Sequence, residues 1–223
     1  MRKKNVAKAC VRLKWELRTA SSLLHSKQAQ MKGWMPMRRS DLFMGLSCVL
    51  AVFAAGVKTP VAQQSLAPYV PTPQYVVEKM LELAQVTSKD VVYDLGCGDG
   101  RIVITAAKKY GAHAVGIDID PDRIRESEAN AKAAGVEELV SFKLEDAMKA
   151  DVSSATVVTL YLLSSSNEAL RPLLTKQLRS GARIVSHAFG MGDWQPQKTE
   201  LVPHESGYNR TIYLWIADGR FRP

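Results

Sequence analysis

Cysteine is scarce in this sequence. Its 223 residues include only Cys10, Cys48 and Cys97, and only Cys97 lies beyond residue 60. The main part of the chain therefore closes no internal disulfide and must be held by packing. Histidine is equally thin: four are scattered, with no Cys or His at zinc-ligand spacing, so no metal is expected. Acids are almost missing from residues 1–40, which carry 11 Lys and Arg against the single Glu16. The remaining residues carry 19 Lys and Arg against 21 Asp and Glu, so the net charge of +8 belongs to the leader. The near-neutral remainder offers no electrostatic basis for binding bulk RNA or DNA, and nucleic acid is not an expected partner. No internal repeat or low-complexity stretch is visible. A hydrophobic content of 46% excludes a disordered chain, and the length allows one sizeable core with extensions.

Long apolar runs are missing too. The run "LFMGLSCVLAVFAAGV" at 42–57 has 16 residues. That falls between the roughly 20 of a spanning helix and the roughly 7–15 of a signal-peptide core. The expected organisation is a basic leader at 1–40, a hydrophobic signal or anchor at 41–58, a proline-rich linker at 59–72 and a folded domain at 73–218. Three readings of the leader stay open: an export signal starting at Met35 or Met37, an organelle targeting segment, or an uncleaved anchor. A buried core helix is the bland fourth. The expected location is membrane-associated or exported, with the basic flank inside.

What is present is alternation of apolar strands with amphipathic helices. Thr72-Pro73 supplies a cap and a first helical position, and Val76, Val77, Met80, Leu81 and Ala84 follow on one helical face. A strand at 90–95 leads into a helix stopped by Gly111, then a strand at 114–118. Asp120-Pro121 caps a helix that ends at Gly135. Strands at 139–144 and 155–163, a helix at about 172–179 and a strand at 182–189 complete the alternation. Two strands near 198–202 and 211–217 have no helix between them. The pattern predicts an α/β fold with a Rossmann-like doubly wound sheet of seven strands, mostly parallel, with an antiparallel terminal hairpin.

The turn after the first strand, in "VVYDLGCGDGRIVI" at 91–104, carries the chemistry. Ligands of open parallel sheets bind at such strand ends. A dinucleotide site wants G-x-G-x-x-G, but Arg101 stands where the third glycine would be. Gly96, Gly98 and Gly100 form G-x-G-x-G instead, with Asp94 two residues before it and acids at 118 and 146 after the next two strands.

That combination resembles motif I of the class I, seven-strand S-adenosylmethionine-dependent methyltransferases, over residues 69 to about 217. The resemblance implies S-adenosylmethionine as cofactor, with Gly96, Cys97, Gly98 and Gly100 giving the backbone room to meet its carboxylate end. It implies that Asp94 faces the ammonium, Asp118 the ribose hydroxyls, Ile119 the adenine ring and Asp146 with Ala147 the adenine amino group. The plainer readings are a turn cap for Asp94, an ordinary strand-end acid for Asp118, a helix cap for Asp120, a small turn residue for Cys97 and a surface or supporting charge for Arg101.

"PYVPTP", "DLGCGDGRIVITAAK", "VGIDIDP", "ATVVTLYLL" and "RIVSHAFGMGDWQP" resemble a narrower group. These are small bacterial methyltransferases similar to the mitochondrial lysine methyltransferases of the ATP synthase c-subunit and adenine nucleotide translocase. Those relatives also carry a hydrophobic N-terminal segment, which implies membrane association through residues 42–57. They imply a protein lysine as methyl acceptor. Acceptor groups are expected at the ends of the fourth and fifth strands, with Tyr161, His187, Asp193 and Trp194 as catalytic candidates and Asn167 nearby. Asp193 would hold the ammonium, Trp194 or Tyr161 would wall the alkyl stem, and His187 would take a proton. Tyr69 and Thr72 would close over the cofactor. No N/D-P-P-Y/F motif follows the fourth strand, where "LYLLSSSN" stands, which argues against amino-group methylation of adenine or glutamine. Rival readings are a small-molecule methyltransferase, an inactive scaffold of the same fold, an aminopropyltransferase and a nicotinamide dehydrogenase.

Overall fold

The computed structural model describes residues 65–203 and 207–223. The basic leader, the hydrophobic segment at 41–58 and the start of the expected linker lie outside the described residues. Among the described residues, no helix is long and apolar enough to cross a membrane.

Strand β1 (Val91–Leu95) sits at the centre of a seven-stranded sheet and is buried from Val92 onward. Its sequence, VVYDL, is apolar on both faces except for Asp94, as expected of a strand covered by helices on both sides. β2 (His113–Asp118) and β4 (Val157–Leu160) flank it in parallel, with β3 (Val140–Leu144) outside β2 and β5 (Arg183–His187) outside β4. β7 (Arg210–Ile216) enters antiparallel between β5 and the edge strand β6 (Lys198–Val202), giving the order β3-β2-β1-β4-β5-β7-β6. The terminal hairpin is thus present, with its last strand inserted inside the sheet. The order reverses between β1 and β4, where a crevice must open at the carboxyl ends of the strands.

Four helices cover the sheet: α1 (Gln74–Leu83), α2 (Arg101–Tyr110), α3 (Pro121–Ala134) and α4 (Ser164–Gln177). Val76, Val77, Met80 and Leu81 of α1, and Ala84 just after it, are fully buried, as their spacing predicts. They join one apolar cluster with α2, and α4 joins a second with Trp215 and Ala182. Asp120 caps α3 by accepting from the Asp122 amide at 2.8 Å, and Gly111 and Gly135 close α2 and α3 in the left-handed conformation.

Two local expectations are corrected. α1 starts at Gln74 with Pro73 as its uncapped N-cap, so Thr72 does not cap it. Thr72 is buried instead, with its hydroxyl 3.5 Å from His187 Nδ1. α4 begins at Ser164, eight residues before Pro172, which lies inside it. The serine run 164–166 reads as loop by composition. It nevertheless forms the first turn of α4, where unpaired amides tolerate serine, while buried Asn167, Leu170 and Leu174 anchor the helix.

Candidate active site

The turn from β1 into α2 clings to the neighbouring strand. The amides of Gly96 and Cys97 both donate to the Ile117 carbonyl, at 2.8 and 3.0 Å. Gly96, Gly98 and Gly100 all have positive φ, +83°, +55° and +78°. A Cβ at Gly96 would lie 2.9 Å from Leu162 Cδ2, and one at Gly98 would lie 2.6 Å from Tyr69 Cε2. A Cβ at Gly100 would strike Ser127 and Phe142 at 2.8 and 2.9 Å. The third glycine therefore serves the packing of α2 on α3 and β3, while Gly96 and Gly98 line an open crevice.

That crevice has a volume of about 510 Å³ and runs along the carboxyl ends of β1, β2 and β4. Of the nine residues expected at the cofactor, Asp94, Gly96, Cys97, Gly98, Asp118, Ile119, Asp146 and Ala147 line it, and Gly100 does not. Asp94 is buried, and its Oδ1 accepts from Thr159 Oγ1 at 2.7 Å. Burial pushes its carboxyl up to about 7, against the help of Thr159. Asp118 Oδ2 accepts from the Gly98 amide at 2.9 Å and Oδ1 from the Asp120 amide at 3.0 Å, so the glycine loop itself orients this carboxylate. Asp146 accepts from the Met148 amide at 3.0 Å and caps the short 3-10 turn Ala147–Lys149. Glu145 lines the crevice beside it. Cys97 is buried, and its thiol is pushed up by burial and then by the neighbouring Asp94, so it is an unreactive packing residue.

The acceptor-side candidates divide. Tyr161 lines the crevice, and its ring lies 4.0 Å from that of His187 and 6.2 Å from that of Phe189. His187 is fully buried behind it, and Nε2 has no hydrogen-bond partner. Burial, then the charge of Arg210, pushes its imidazole down to about 4. It is neutral at physiological pH and shielded from a substrate. Asn167 is also buried and donates to Ser186 Oγ and the carbonyls of Phe189 and Gly190, all at 3.2 Å, so it shapes the turn after β5. Asp193 and Trp194 are not brought to the crevice. They line a separate hollow with Arg171 and Arg222, where exposed Asp193 pairs with Arg171 and the Arg222 guanidinium lies 4.4 Å from the Trp194 ring. The cause is the loop after β5, which leads from the crevice end of the sheet toward the start of β6, carrying both residues away.

The domain model for the ANTKMT methyltransferase domain matches residues 94–198. A protein-lysine N-methyltransferase of Saccharolobus islandicus is 49% identical over 151 residues, which is 67% of this chain and 92% of that protein. This chain belongs to the ANTKMT-type family of S-adenosylmethionine-dependent methyltransferases. The mouse lysine N-methyltransferase of the ATP synthase c-subunit is 31% identical over 68% of this chain and 61% of its own length. The crystal structure of an RNA methyltransferase from Salinibacter ruber in complex with S-adenosylhomocysteine is 52% identical, with a TM-score of 0.64, over 69% of this chain and 97% of that one.

The residues present fit the cofactor of this methyltransferase family. The crevice offers buried or oriented carboxylates for cationic and hydroxyl groups and glycines that keep side chains off the backbone, with no phosphate to accommodate. Sequence reasoning missed two contributors. Thr159 orients Asp94 but looks like any β4 residue. Arg123 lies 4.5 Å over the Tyr69 ring, a contact between segments 54 positions apart. Arg101, expected as a surface or supporting charge, is a supporting one: it grips Asp99 through Nε and Nη2 and donates from Nη1 to the Thr72 carbonyl at 2.8 Å.

Proposed function

We propose that this methyltransferase transfers the methyl group of S-adenosylmethionine to the ε-amino group of a protein lysine. The similarity to the Saccharolobus protein-lysine N-methyltransferase, which spans nearly all of that protein, carries the reading. The crevice supports it: acids outnumber bases along its walls, and exposed Tyr69, Val70 and Leu163 give it an apolar mouth suited to an alkyl stem that ends in a cation.

When bound, S-adenosylmethionine supplies a methyl group on a positively charged sulfur, which the amine lone pair takes while the S–C electron pair stays on sulfur. Asp94 would receive the ammonium with the oxygen that Thr159 leaves free. Gly96 and Gly98, bare of side chains, would leave room for the cofactor's amino-acid end, and Asp118 would accept from the ribose hydroxyls. Ile119 would flank the adenine, with Asp146 and Ala147 to meet its amino edge. Tyr161 walls the acceptor and is held in place by His187 and Phe189. The acceptor nitrogen attacks as the neutral amine, and neither His187 nor Asp193 reaches the crevice to take its proton.

The test is incubation of the full chain with deuterated-methyl S-adenosylmethionine and a protein and RNA extract, followed by mass spectrometry. Label on lysine is expected. RNA as acceptor is the second reading, favoured by the Salinibacter protein, and label on nucleotides alone would establish it instead. The apolar run at 42–57 supports a further part of the proposal, attachment of the chain to a membrane. Alkaline carbonate extraction that leaves the full chain in the membrane pellet checks it, and full release would overturn it.

A further inference from the structure

Residues 65–72 are the described part of the expected linker 59–72, and all eight of them line the crevice, not only the expected Tyr69 and Thr72. The segment has no helix or strand, and Pro68 and Pro71 stiffen it. Leu66 and Ala67 pack on the apolar cluster beneath α4. Its main chain is tethered to the rest of the fold by side chains at its two ends. Ser166 Oγ of α4 donates to the Leu66 carbonyl at 2.5 Å, and Arg101 Nη1 donates to the Thr72 carbonyl at 2.8 Å. Between the tethers, Tyr69 lies so close over Gly98 that no side chain fits there, and Arg123 covers its outer face.

Both tethers start from elements that also build the cofactor site. Arg101 is the first residue of α2, directly after the glycine turn, and is held in place by Asp99. Ser166 is in the first turn of α4, next to crevice residues Leu162 and Leu163. The two tethers, buried Thr72 against His187 and the packing of Leu66 and Ala67 are the segment's anchors, and a segment held by side chains rather than by a backbone ladder belongs to the low-stability end of a fold. It can lift as a unit without breaking any strand pairing.

We propose that residues 65–72 are a strap that closes over the bound cofactor, and that Arg101 is the positioning residue that latches it. Cofactor exchange then requires release of the Thr72 and Leu66 carbonyls, and the latched strap slows product departure. The inference rests on the cofactor crevice and is independent of which acceptor is methylated.

The test is the dissociation rate of S-adenosylhomocysteine from the full chain, measured by stopped flow for wild type, Arg101→Gln and Ser166→Ala. Loss of one charged hydrogen bond to the strap is expected to speed release about tenfold in Arg101→Gln, and loss of the neutral one about threefold in Ser166→Ala. Arg101→Gln also leaves the Asp99 carboxylate unpaired beside the glycine turn, so Ser166→Ala is the variant that isolates the strap. Ser166→Ala leaves the glycine turn untouched. Unliganded melting temperatures near wild type for both variants would show that the fold survives. S-adenosylhomocysteine should also slow proteolysis within 65–72. Release at the wild-type rate in both folded variants would overturn the proposal. So would acceleration in Arg101→Gln alone, which would assign the effect to the glycine turn.

Discussion

Thr159 Oγ1 donates to Asp94 Oδ1 at 2.7 Å across the β1–β4 pair, where the two residues stand in register. The bond uses one carboxylate oxygen and leaves the other for a cation in the crevice. Asp94→Asn keeps the shape but removes the charge. It should weaken S-adenosylhomocysteine binding by about 10- to 100-fold, the range for a charged hydrogen bond, in isothermal titration. Thr159→Val should weaken it less, by about threefold to tenfold, because the charge remains and only its aim is lost.

The same carboxyl predicts a pH dependence. Its value near 7 in the folded chain lies above the ordinary 3.8, so the folded state holds a proton that the unfolded state releases between those limits. The stability this confers is complete below about pH 4 and is lost as pH rises through 7. Ligand affinity should run the other way, since the ammonium pairs only with the ionised carboxylate. The melting-temperature gain from S-adenosylhomocysteine should therefore be larger at pH 8 than at pH 6. Asp94→Asn should flatten that difference.

Asp118 is oriented by the Gly98 and Asp120 amides. Asp118→Ala removes both ribose contacts and frees two loop amides. Cofactor affinity should fall by about 100-fold or more, with little change in unliganded melting temperature. Unchanged affinity in titration would remove Asp118 from the site.

Gly98 and Gly100 should respond differently to alanine. At Gly100 the left-handed φ and the close approach of Ser127 and Phe142 should together cost roughly 2–4 kcal/mol of folding stability in denaturant titration. At Gly98 the new methyl group meets the Tyr69 ring, which can swing outward with the strap. Stability should fall less there, and release of S-adenosylhomocysteine should accelerate.

Asp193→Ala should leave kcat within about twofold of wild type, because its partner Arg171 lies outside the crevice and an exposed pair contributes at most about 1 kcal/mol. His187→Gln should lower stability by about 1–2 kcal/mol through loss of the stack on Tyr161. It should leave the shape of the pH–rate profile between 5 and 8 unchanged, since the native imidazole is already neutral there.

Legibility followed the range of the interactions involved. The cofactor half is local: the strand, the glycine turn and the helix N-terminus lie within 91–104, and each later acid ends its own strand. The acceptor half is assembled from the ends of β4 and β5 and the loop beyond, whose path no short pattern records. That is why Tyr161 and Asp193 looked equally suitable in the sequence and ended in different hollows. The start of α4 was obscured because Ser164 to Ser166 favour turns by composition, while Asn167, Leu170 and Leu174 gain their helical phase only from burial against β5 and Trp215.

By itself the sequence determined the alternation of strands and helices, the sheet class and the type of cofactor. Hydrophobic periodicity and left-handed glycine turns are set within a few residues of themselves. Only the tertiary structure decided that Gly100 packs outside the crevice, that His187 is sealed behind Tyr161, and that the whole of 65–72, beyond Tyr69 and Thr72, is a wall of the crevice. Each depends on a contact between residues far apart in the chain, such as Arg101 with Thr72 or Ser166 with Leu66. Such contacts exist only once the sheet has brought the strand ends together.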